Sequence, residues 1–385
     1  MIKNQVLHIF RKLLPPTATF IYNQIAHHIK YEPHILYTED IPGKLASGLV
    51  VIPSQKTDPE NNGSWLYGKF RILTQGENHR GVRFVQELKP DIIHVHYGVD
   101  MLTYASILNR VNIPVVVSFY GYDYSNFPKR FMGLGKYWLQ RSVFGNKNLK
   151  AVFAMSPDMA KNLISIGCPE SLIRLHYYGS ECSKFNMERK YLQRDPVRFT
   201  IISGLTEKKG HLVLLEAWII LGATTHKKIQ LTIIGSGSQQ EQIESFIGKN
   251  EIKNIFLKKK VVYGSPAHFN ALANTDVFVH PSRTASDGDS EGIPGAIIES
   301  MASGLPVVST WHAGIPSVLA HGSTGLLVEE NNPGELAKAM AQLAEDPSLR
   351  ERLGRNARDF ALSELDIKTK ELELEALYDE VIESC

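Results

Sequence analysis

The sequence is poor in cysteine and has no long apolar run. Three of its 385 residues are cysteines, and they form neither a Cys-x-x-Cys pair nor a metal-ligand spacing. This pattern argues against a disulfide framework and predicts free thiols in a reducing compartment. No apolar stretch approaches the roughly 18 residues of a membrane-spanning helix, and the N-terminus lacks a signal-peptide layout. We therefore expect a soluble protein.

The net charge is only +2, but the charge is unevenly distributed along the chain. Residues 1–190 carry 23 lysines and arginines against 14 acids, whereas residues 191–385 carry 19 against 26. Such asymmetry indicates that the two halves face different partners. The densest basic stretch, Lys129–Lys150, also contains many aromatic residues. It fits a helix lying on an anionic membrane surface, and it fits equally a helix packed on a sheet with its charges in water.

Short β-branched runs alternate with helical patterns along the whole chain, which predicts parallel α/β sheets with crossover helices. The predicted strands form two successive series, which indicates two Rossmann-like domains. The first series is Val6–Phe10, His34–Tyr37, Ile92–His96, Val115–Phe119, Ala151–Ala154 and Ile173–His176. The second is Phe199–Ser203, Gln230–Ile234, Ile255–Leu257, Val277–His280, Val307–Ser309 and Gly325–Val328.

The polar, charged stretch Met187–Pro196 is the best candidate for an interdomain linker. We therefore predict an N-terminal domain over residues 1–190 and a C-terminal domain over residues 191–365. The remainder, residues 366–385, reads as a charged amphipathic helix. From its pattern alone this helix could cap either domain.

The strongest local signal is Ser290–Pro306, which reads as a glycine-rich loop feeding a short helix. Pro294 suits the first helical turn, and Gly304 suits the left-handed position that ends a helix. Free N–H groups and the helix dipole make such an N-terminus a good site for a diphosphate. Glu291 then lies beside the phosphates, and Glu299 lies about two turns into the helix. Carboxylates there can accept hydrogen bonds from sugar hydroxyls and from a ribose diol.

A second signal is Ser203–Gly210, where a strand end runs into a helix. Lys208 or Lys209 at a phosphate site would neutralise the charge that builds on a leaving diphosphate. Gly235 follows the next strand in a Gly-Ser-Gly setting that hints at dinucleotide binding. The third glycine of that fingerprint is missing, so the signal is incomplete.

The two glutamates separated by seven residues, with Val277–Ser282 before them and Gly304–Thr310 after them, resemble the E-x7-E motif of retaining glycosyltransferases of family four. The resemblance implies the GT-B fold, in which two Rossmann-like domains with parallel sheets face a central cleft. It implies that the N-terminal domain binds the acceptor and that the C-terminal domain binds the donor. It assigns the donor sugar to Glu291 and the nucleotide ribose to Glu299, and implies that the last helix crosses back to the N-terminal domain.

The chain also departs from that family pattern. Lys209 matches the lysine of a Gly-Arg-x-x-x-x-Lys-Gly segment, but the arginine position falls on Gly204. One cation is therefore missing or supplied elsewhere, with Arg283 as a candidate. The histidine of a Phe-His-Gly-x-Asp stretch is replaced by Tyr120, which can donate a hydrogen bond but cannot become an imidazolium. His96 is a substitute candidate for that role.

The predicted site residues fall into three groups. The catalytic candidates are Glu291, Lys209, His96 and Tyr120. The donor-binding candidates are Gly204, Lys208, Lys209, Gly235, Arg283, Glu291, Gly292, Ile293, Pro294, Gly295 and Glu299. The acceptor-side candidates are Thr17, Thr19, Tyr97 and Asp123.

Asp287-Gly288-Asp289 resembles an Asp-x-Asp metal motif, but we interpret it as a polar loop, because basic residues and a helix N-terminus can hold the diphosphate. We therefore expect no metal and no cofactor. The expected partners are a nucleotide-sugar donor, a saccharide or lipid-linked acceptor and an anionic membrane surface; no nucleic-acid partner is expected.

The resemblance implies a cytoplasmic enzyme of cell-surface polysaccharide assembly that transfers a hexose, with UDP-glucose as the first choice of donor. Two other functions stay open. One is a non-catalytic nucleotide-sugar or polysaccharide-binding protein, and the other is an NAD-dependent oxidoreductase.

Overall fold

The computed structural model describes residues 3–11, 19–38, 54–56, 79–191 and 194–385, with backbone alone for residues 19, 54–56 and 79. The chain divides into two compact units. The first comprises Met1–Gly179 and Ile367–Cys385, and the second comprises Ser180–Asp366. Within the described ranges, no helix combines the length and hydropathy that a membrane crossing requires.

The first unit contains a parallel sheet of seven strands in the order β3-β2-β1-β4-β5-β6-β7. The strands are β1 (Asn4–Ile9), β2 (Tyr31–Tyr37), β3 (Ser54–Lys56), β4 (Ile92–His96), β5 (Val115–Ser118), β6 (Leu149–Ala154) and β7 (Ile173–Leu175). Each predicted strand of the first series is present. The prediction missed β3, because its sequence, Ser-Gln-Lys, has no apolar residue to mark it.

The second unit contains a parallel sheet of six strands in the order β10-β9-β8-β11-β12-β13. The strands are β8 (Val197–Ile202), β9 (Ile229–Ile234), β10 (Ile255–Lys258), β11 (Val277–His280), β12 (Val307–Thr310) and β13 (Gly325–Val328). Helices cover parallel sheets on both faces, which explains why β11, β12 and β13 are buried along their whole length. Together the two sheets confirm the predicted α/β class with two Rossmann-like domains.

The helices follow the strands as crossover connections. Those of the first unit are α1 (Thr19–Ala26), α2 (His79–Leu88), α3 (Gly98–Thr103), α4 (Ala105–Leu108), α5 (Tyr122–Ser125), α6 (Leu134–Trp138) and α7 (Pro157–Ser165). Those of the second unit are α8 (Cys182–Phe185), α9 (His211–Thr224), α10 (Gln240–Lys249), α11 (Pro266–Ala273), α12 (Gly295–Ala302), α13 (Pro333–Glu345) and α14 (Pro347–Glu364). The last helix is α15 (Ile367–Glu383), which belongs to the first unit.

The boundary between the units lies at Gly179 and Ser180, before the linker predicted over Met187–Pro196. The backbone N–H of Ser180 donates to Leu365 O at 2.9 Å, which ties the start of the second unit to its end. Inside the predicted linker, the Arg189 guanidinium donates to the carbonyls of three residues of the second unit, Leu272, Thr275 and Ser303. Composition shows the charge of this stretch but not the carbonyls that bind it, and for that reason the predicted boundary at residue 190 is displaced.

The order of strands in the second sheet reverses between β8 and β11, because the chain adds β9 and β10 on one side and β12 and β13 on the other. In open parallel sheets, ligands bind outside the carboxyl ends of the strands at such a reversal. The loops that leave β8 and β11 there are 203–210 and 281–294. The fold therefore brings the two strongest sequence signals to one edge.

A buried ion pair fastens α15 to the first unit. His28 Nδ1 lies 2.5 Å from Glu371 Oε1 and 3.3 Å from Glu375 Oε1. Glu375 also accepts the backbone N–H groups of Ile29, Lys30 and Tyr31. Burial alone would lower the pKa of His28, but the two carboxylates outweigh it and raise the pKa to about 9.

This pair predicts a pH dependence of stability. When the chain unfolds, the pKa of His28 returns to about 6.5, so between pH 6.5 and 9 the folded state holds the extra proton. Stability from this source is complete below pH 6.5 and is lost as the pH rises toward 9. The free energy of unfolding should fall by about 1.4 kcal/mol per pH unit, or roughly 3 kcal/mol in all.

Urea unfolding at pH 7 and pH 9 measures this loss. His28→Gln lacks the titrating group, so the difference between its two values should be smaller by about the same amount. Equal pH dependence in the wild type and the variant would contradict the assignment.

Candidate functional site

A buried ion pair joins the two loops at the carboxyl edge of the second sheet. Lys209 Nζ lies 2.5 Å from Glu291 Oε1, and their side chains are 17% and 9% exposed. Lys209 ends a single 3-10 turn, Glu207–Lys209, after β8. Gly210 follows it with a φ of 70°, and a Cβ there would lie 1.9 Å from Pro281 O. The loop after β8 can therefore approach the end of β11 only with glycine at this position.

Burial and the ammonium of Lys209 together shift the pKa values of the groups around this lysine. Burial would raise the pKa of Glu291, but Lys209 and then Lys208 outweigh it and lower the pKa. Burial and the charge of Lys209 lower the pKa of His280 to about 3 and that of His211 to about 4. At neutral pH the site thus holds an ionised glutamate and two neutral imidazoles.

A second set of contacts fixes the backbone at Glu291. Its N–H donates to His312 Nε2 at 3.1 Å, and His312 Nδ1 lies 2.6 Å from Glu330 Oε1. Because Nε2 accepts, Nδ1 carries the proton and donates to Glu330. Glu330 Oε2 accepts the N–H of Thr284 at 2.8 Å. His312 and Glu330 were not predicted as site residues. Their positions just after β12 and β13, at the same edge of the sheet, could have indicated that they belong to the site.

The remaining cations of the site are also paired. Lys208 Nζ lies 2.9 Å from Asp289 Oδ2, and an Arg283 guanidinium nitrogen lies 3.6 Å from Glu207 Oε1. The N–H of Asp289 donates to Asp287 Oδ1 at 2.9 Å. The Asp-Gly-Asp loop therefore contacts the Lys208 cation and its own backbone, and Arg283 lies beside the same loops as Lys209.

Helix α12 begins at Gly295, so Pro294 is its N-cap and not a first-turn residue as predicted. Glu299 consequently lies about one turn into the helix, not two. Among the described residues no side chain caps this N-terminus. Its N–H groups are available to an anion, and Gly304 ends the helix with a φ of 72°, as predicted.

Glu299 is buried in the first turn of α12 and lies against His268. It is 9% exposed, and its Oε2 lies 3.3 Å from His268 Nε2. Because His268 Nδ1 accepts the N–H of Gly264, Nε2 carries the proton and faces the carboxylate. Burial and then the charges of Glu299 and Glu181 raise the pKa of Tyr263. The hydroxyl of Tyr263 therefore remains protonated beside the two glutamates.

The other donor-side candidates differ in the space around them. A Cβ on Gly235 would lie 2.0 Å from Ser203 O, whereas a Cβ on Gly204 would meet no atom closer than 4.0 Å. Gly235 is required by close packing of the two loops. Ile293 is buried, and Gly292 O accepts the N–H of Gly314 at 3.1 Å. The space beside Gly204 is open, which is where the resemblance places an arginine.

The candidates of the first unit lie at the carboxyl edge of its own sheet. His96 Nδ1 and the Tyr120 hydroxyl lie 2.6 Å apart. Asp123 is wholly buried and accepts the N–H groups of Gly98, Tyr120 and Gly121. Its carboxylate therefore holds the loop in place, and its role on the acceptor side stays a prediction.

The structure describes the other three acceptor-side candidates less fully. Tyr97 is half-buried, and its φ of 75° lies in the left-handed region. Thr17 lies outside the described residues, and Thr19 begins α1 with only its backbone described.

Comparison with known proteins places this geometry in a family. Residues 183–360 match the family described as glycosyl transferases group 1, and residues 30–183 match glycosyltransferase family 4. The chain is similar to the amylovoran biosynthesis glycosyltransferase AmsK of Erwinia amylovora, at 37% identity over 48% of this chain and 44% of that one. It is also similar to the putative colanic acid biosynthesis glycosyltransferase WcaL of Salmonella typhimurium, at 30% identity over 67% of this chain and 63% of that one.

The matched parts thus span less than two thirds of the length of these relatives. Among solved structures, Anabaena Alr3699/HepE in complex with UDP-glucose has the same fold, with a TM-score of 0.76 at 18% identity over 98% of this chain and 99% of that one. The two family matches together cover both units, and they agree with the sheets, the E-x7-E spacing and the fold. The chain belongs to the family 4 glycosyltransferases with the GT-B fold.

Proposed function

We propose that the protein transfers a hexose, with retention of anomeric configuration, from a nucleotide diphosphate sugar to a saccharide or lipid-linked saccharide. The observation that carries this proposal is the Lys209–Glu291 pair, in which Glu291 lies on the loop leading to the uncapped N-terminus of α12. A cation and free N–H groups at one edge suit a diphosphate.

The diphosphate binds between Lys209 and the N–H groups at the start of α12. In the absence of ligand, Glu291 supplies the negative charge that Lys209 needs. A diphosphate brings its own charge, so Lys209 can turn to it and free Glu291 to accept hydrogen bonds from the hydroxyls of the donor sugar. Arg283 supplies the second cation in place of the arginine that Gly204 lacks.

Glu299 binds the ribose of the nucleotide. Its carboxylate is buried, with one oxygen 3.3 Å from His268 Nε2. A carboxylate can accept from both hydroxyls of a ribose diol. Separate positions for Glu291 and Glu299 favour two recognition roles over the acid and nucleophile pair of a glycosidase.

In the proposed reaction, the bond between the anomeric carbon and the diphosphate oxygen breaks as the acceptor oxygen bonds to the same face. The departing phosphate oxygen takes the acceptor proton, so no enzyme nucleophile is needed. Negative charge grows on the diphosphate, and Lys209 with the N–H groups of α12 stabilises it. We propose that no metal takes part, because Asp289 is paired with Lys208.

UDP-glucose is the proposed donor, since the similar Anabaena structure is a complex with it. The names of the amylovoran and colanic acid relatives support an acceptor in cell-surface polysaccharide biosynthesis. We propose a cytoplasmic location for the protein, because nucleotide sugars are supplied there. Lack of a second cation at Gly204 favours one other candidate, a protein that binds nucleotide sugars without turnover.

Calorimetric titration with UDP, GDP and ADP tests the donor site. We expect micromolar binding of UDP that EDTA does not change. Glu299→Gln removes an acceptor of the ribose hydroxyls and should weaken binding about tenfold or more, because hydrogen bonds to a charged group contribute about 1.5–3 kcal/mol. Glu241→Gln, on the exposed face of α10, is the matched control and should bind normally.

Absence of binding by the folded wild type to all three nucleotides would contradict the donor site. If UDP binds, incubation with UDP-glucose and an oligosaccharide acceptor separates the two functions. Formation of an α-linked product supports the transferase, and binding without product supports the binding protein.

We also propose that the first unit contacts an anionic membrane through the residues around Met132. The segment Lys129–Lys150 is not one helix, because Phe131, Met132 and Gly133 all have positive φ. Leu139, Val143 and Phe144 are buried, whereas Met132 is 100% exposed and Phe131 is 43% exposed. The buried part fits a helix packed against the sheet, and the exposed part, which combines apolar with basic side chains, supports the proposed membrane contact.

Sedimentation with vesicles of phosphatidylglycerol and phosphatidylcholine tests this contact. The triple variant Lys129→Glu, Arg130→Glu, Lys136→Glu should lose most of its binding, because each basic residue near the surface contributes about 1 kcal/mol. The exposed run Lys258, Lys259 and Lys260 in the second unit provides the control: its reversal should change binding little. A wild type that never sediments with anionic vesicles would end the proposal.

A further inference from the structure

A row of buried, hydrogen-bonded side chains crosses the first unit and has no role in the function proposed above. His96 Nδ1 lies 2.6 Å from the Tyr120 hydroxyl, and His96 Nε2 lies 2.9 Å from His8 Nδ1. His8 Nε2 lies 2.9 Å from His28 Nε2, and His28 Nδ1 lies 2.5 Å from Glu371 Oε1. The row therefore runs without a gap from Tyr120 to α15.

The strands explain how these rings meet. His8 on β1 pairs in register with His94 on β4, and His96 lies two residues further along β4, on the same face of the sheet. His8, His94 and His96 are all fully buried. Three adjacent imidazoles in a sheet core are costly unless their nitrogens are paired, and here they are paired with one another, with His28 or with hydroxyls.

A metal ion is the alternative reading of three close histidines. Nitrogens that share a tetrahedral zinc lie about 3.3 Å apart, from zinc–nitrogen distances of about 2.05 Å. The 2.9 Å separations in the row are hydrogen-bond distances instead. Both nitrogens of His94 are also occupied, by the Tyr378 hydroxyl at 2.6 Å and by Ser118 Oγ at 2.7 Å.

The protons of the row can be arranged in only two ways. Each neutral imidazole donates at one nitrogen and accepts at the other, and Glu371 can only accept when ionised. If His28 is neutral, its Nε2 accepts from His8, His8 accepts from His96, and His96 accepts from Tyr120. If His28 is charged, every one of these bonds reverses, and Tyr120 accepts from His96.

We propose that Tyr120, His96, His8, His28 and Glu371 form a proton relay between a buried ion pair and the carboxyl edge of the first sheet. In the loaded state, Tyr120 releases its hydroxyl proton to a ligand and takes the proton of His96 Nδ1. His96 Nε2 then takes a proton from His8 Nδ1, and His8 Nε2 takes one from His28 Nε2. One proton leaves at Tyr120, and one positive charge disappears at His28.

The charges around His28 keep the relay loaded at neutral pH. His28 faces His8 from β1, Tyr31 from β2, and Glu371, Glu375 and Tyr378 from α15. The two carboxylates outweigh burial and raise the pKa of His28 to about 9. Burial lowers the pKa of His8 well below its usual value and that of His96 to about 3. The single positive charge of the row therefore resides on His28.

For the reaction, and resting on the proposed function, the loaded relay makes Tyr120 a hydrogen-bond donor to an oxygen of the ligand bound at this edge of the first sheet. Tyr120 is partly exposed at the sheet edge, so a ligand can reach it. Above the pKa of His28 the row reverses and Tyr120 becomes an acceptor from the ligand. The rate should then fall on the alkaline side.

Imidazole nitrogen NMR of the wild type tests the relay without requiring any activity. At pH 7 the relay predicts a charged His28, with His8 and His96 protonated at Nδ1. At pH 10 it predicts a neutral His28, with His8 and His96 protonated at Nε2. The proposal would be overturned if the tautomers of His8 and His96 did not change as His28 titrates. A stoichiometrically bound metal would overturn it as well.

Steady-state kinetics test whether the relay contributes to the reaction. Tyr120→Phe and His8→Leu should each lower kcat about tenfold with KM changed less than twofold, and the double variant should be no slower than either single one. In both variants kcat should lose the fall near pH 9. His176→Gln, at a buried histidine outside the row, is the control.

Unchanged pH profiles in active variants would overturn the relay and leave the transferase function intact. An inactive wild type that shows the tautomer switch would contradict only the transferase function.

Discussion

Charge burial at Lys209 and Glu291 is the constraint on which the rest of the second unit's site depends. A glutamate at 7% exposure stays ionised because an ammonium lies against it, and burial together with that ammonium keeps His211 and His280 neutral. The pair in turn requires two loops to approach closely. Gly210 allows that approach, and the parallel strand order places the ends of β8 and β11 side by side. Electrostatics and topology therefore specify the same small region.

The two sheets place different chemistry at their carboxyl edges. The second offers cations and free N–H groups, which suit an anionic nucleotide. The first presents Tyr120 and Tyr97, backed by neutral imidazoles and a buried carboxylate. The positively charged member of the row, His28, is linked to that edge by hydrogen bonds through His8 and His96. Because α15 supplies Glu371, the end of the chain contributes to the first unit's electrostatics as well as to its packing.

Much of this could be predicted from the sequence, because the signals are local. Short runs of β-branched residues, alternating with helical patterns, located the strands, and Gly304 and Pro306 marked the end of α12. The E-x7-E spacing drew attention to Glu291 and Glu299. What escaped prediction depends on contacts between distant residues. Arg189 binds carbonyls more than 80 residues away, His312 supports Glu291 from the loop after β12, and His8 meets His28 and His96 only after the sheet forms. No periodicity encodes such partners.

Hydrogen–deuterium exchange with and without UDP tests the central claim most directly, since it reports where the nucleotide binds. With UDP bound, we expect slower exchange in peptides spanning Gly204–Gly210 and Ser290–Glu299. Residues 224–230 lie at the opposite, amino edge of the sheet and should not change. Protection of the two loops together would support a donor site built on Lys209, Glu291 and α12. Nucleotide binding that leaves both loops unprotected would contradict it.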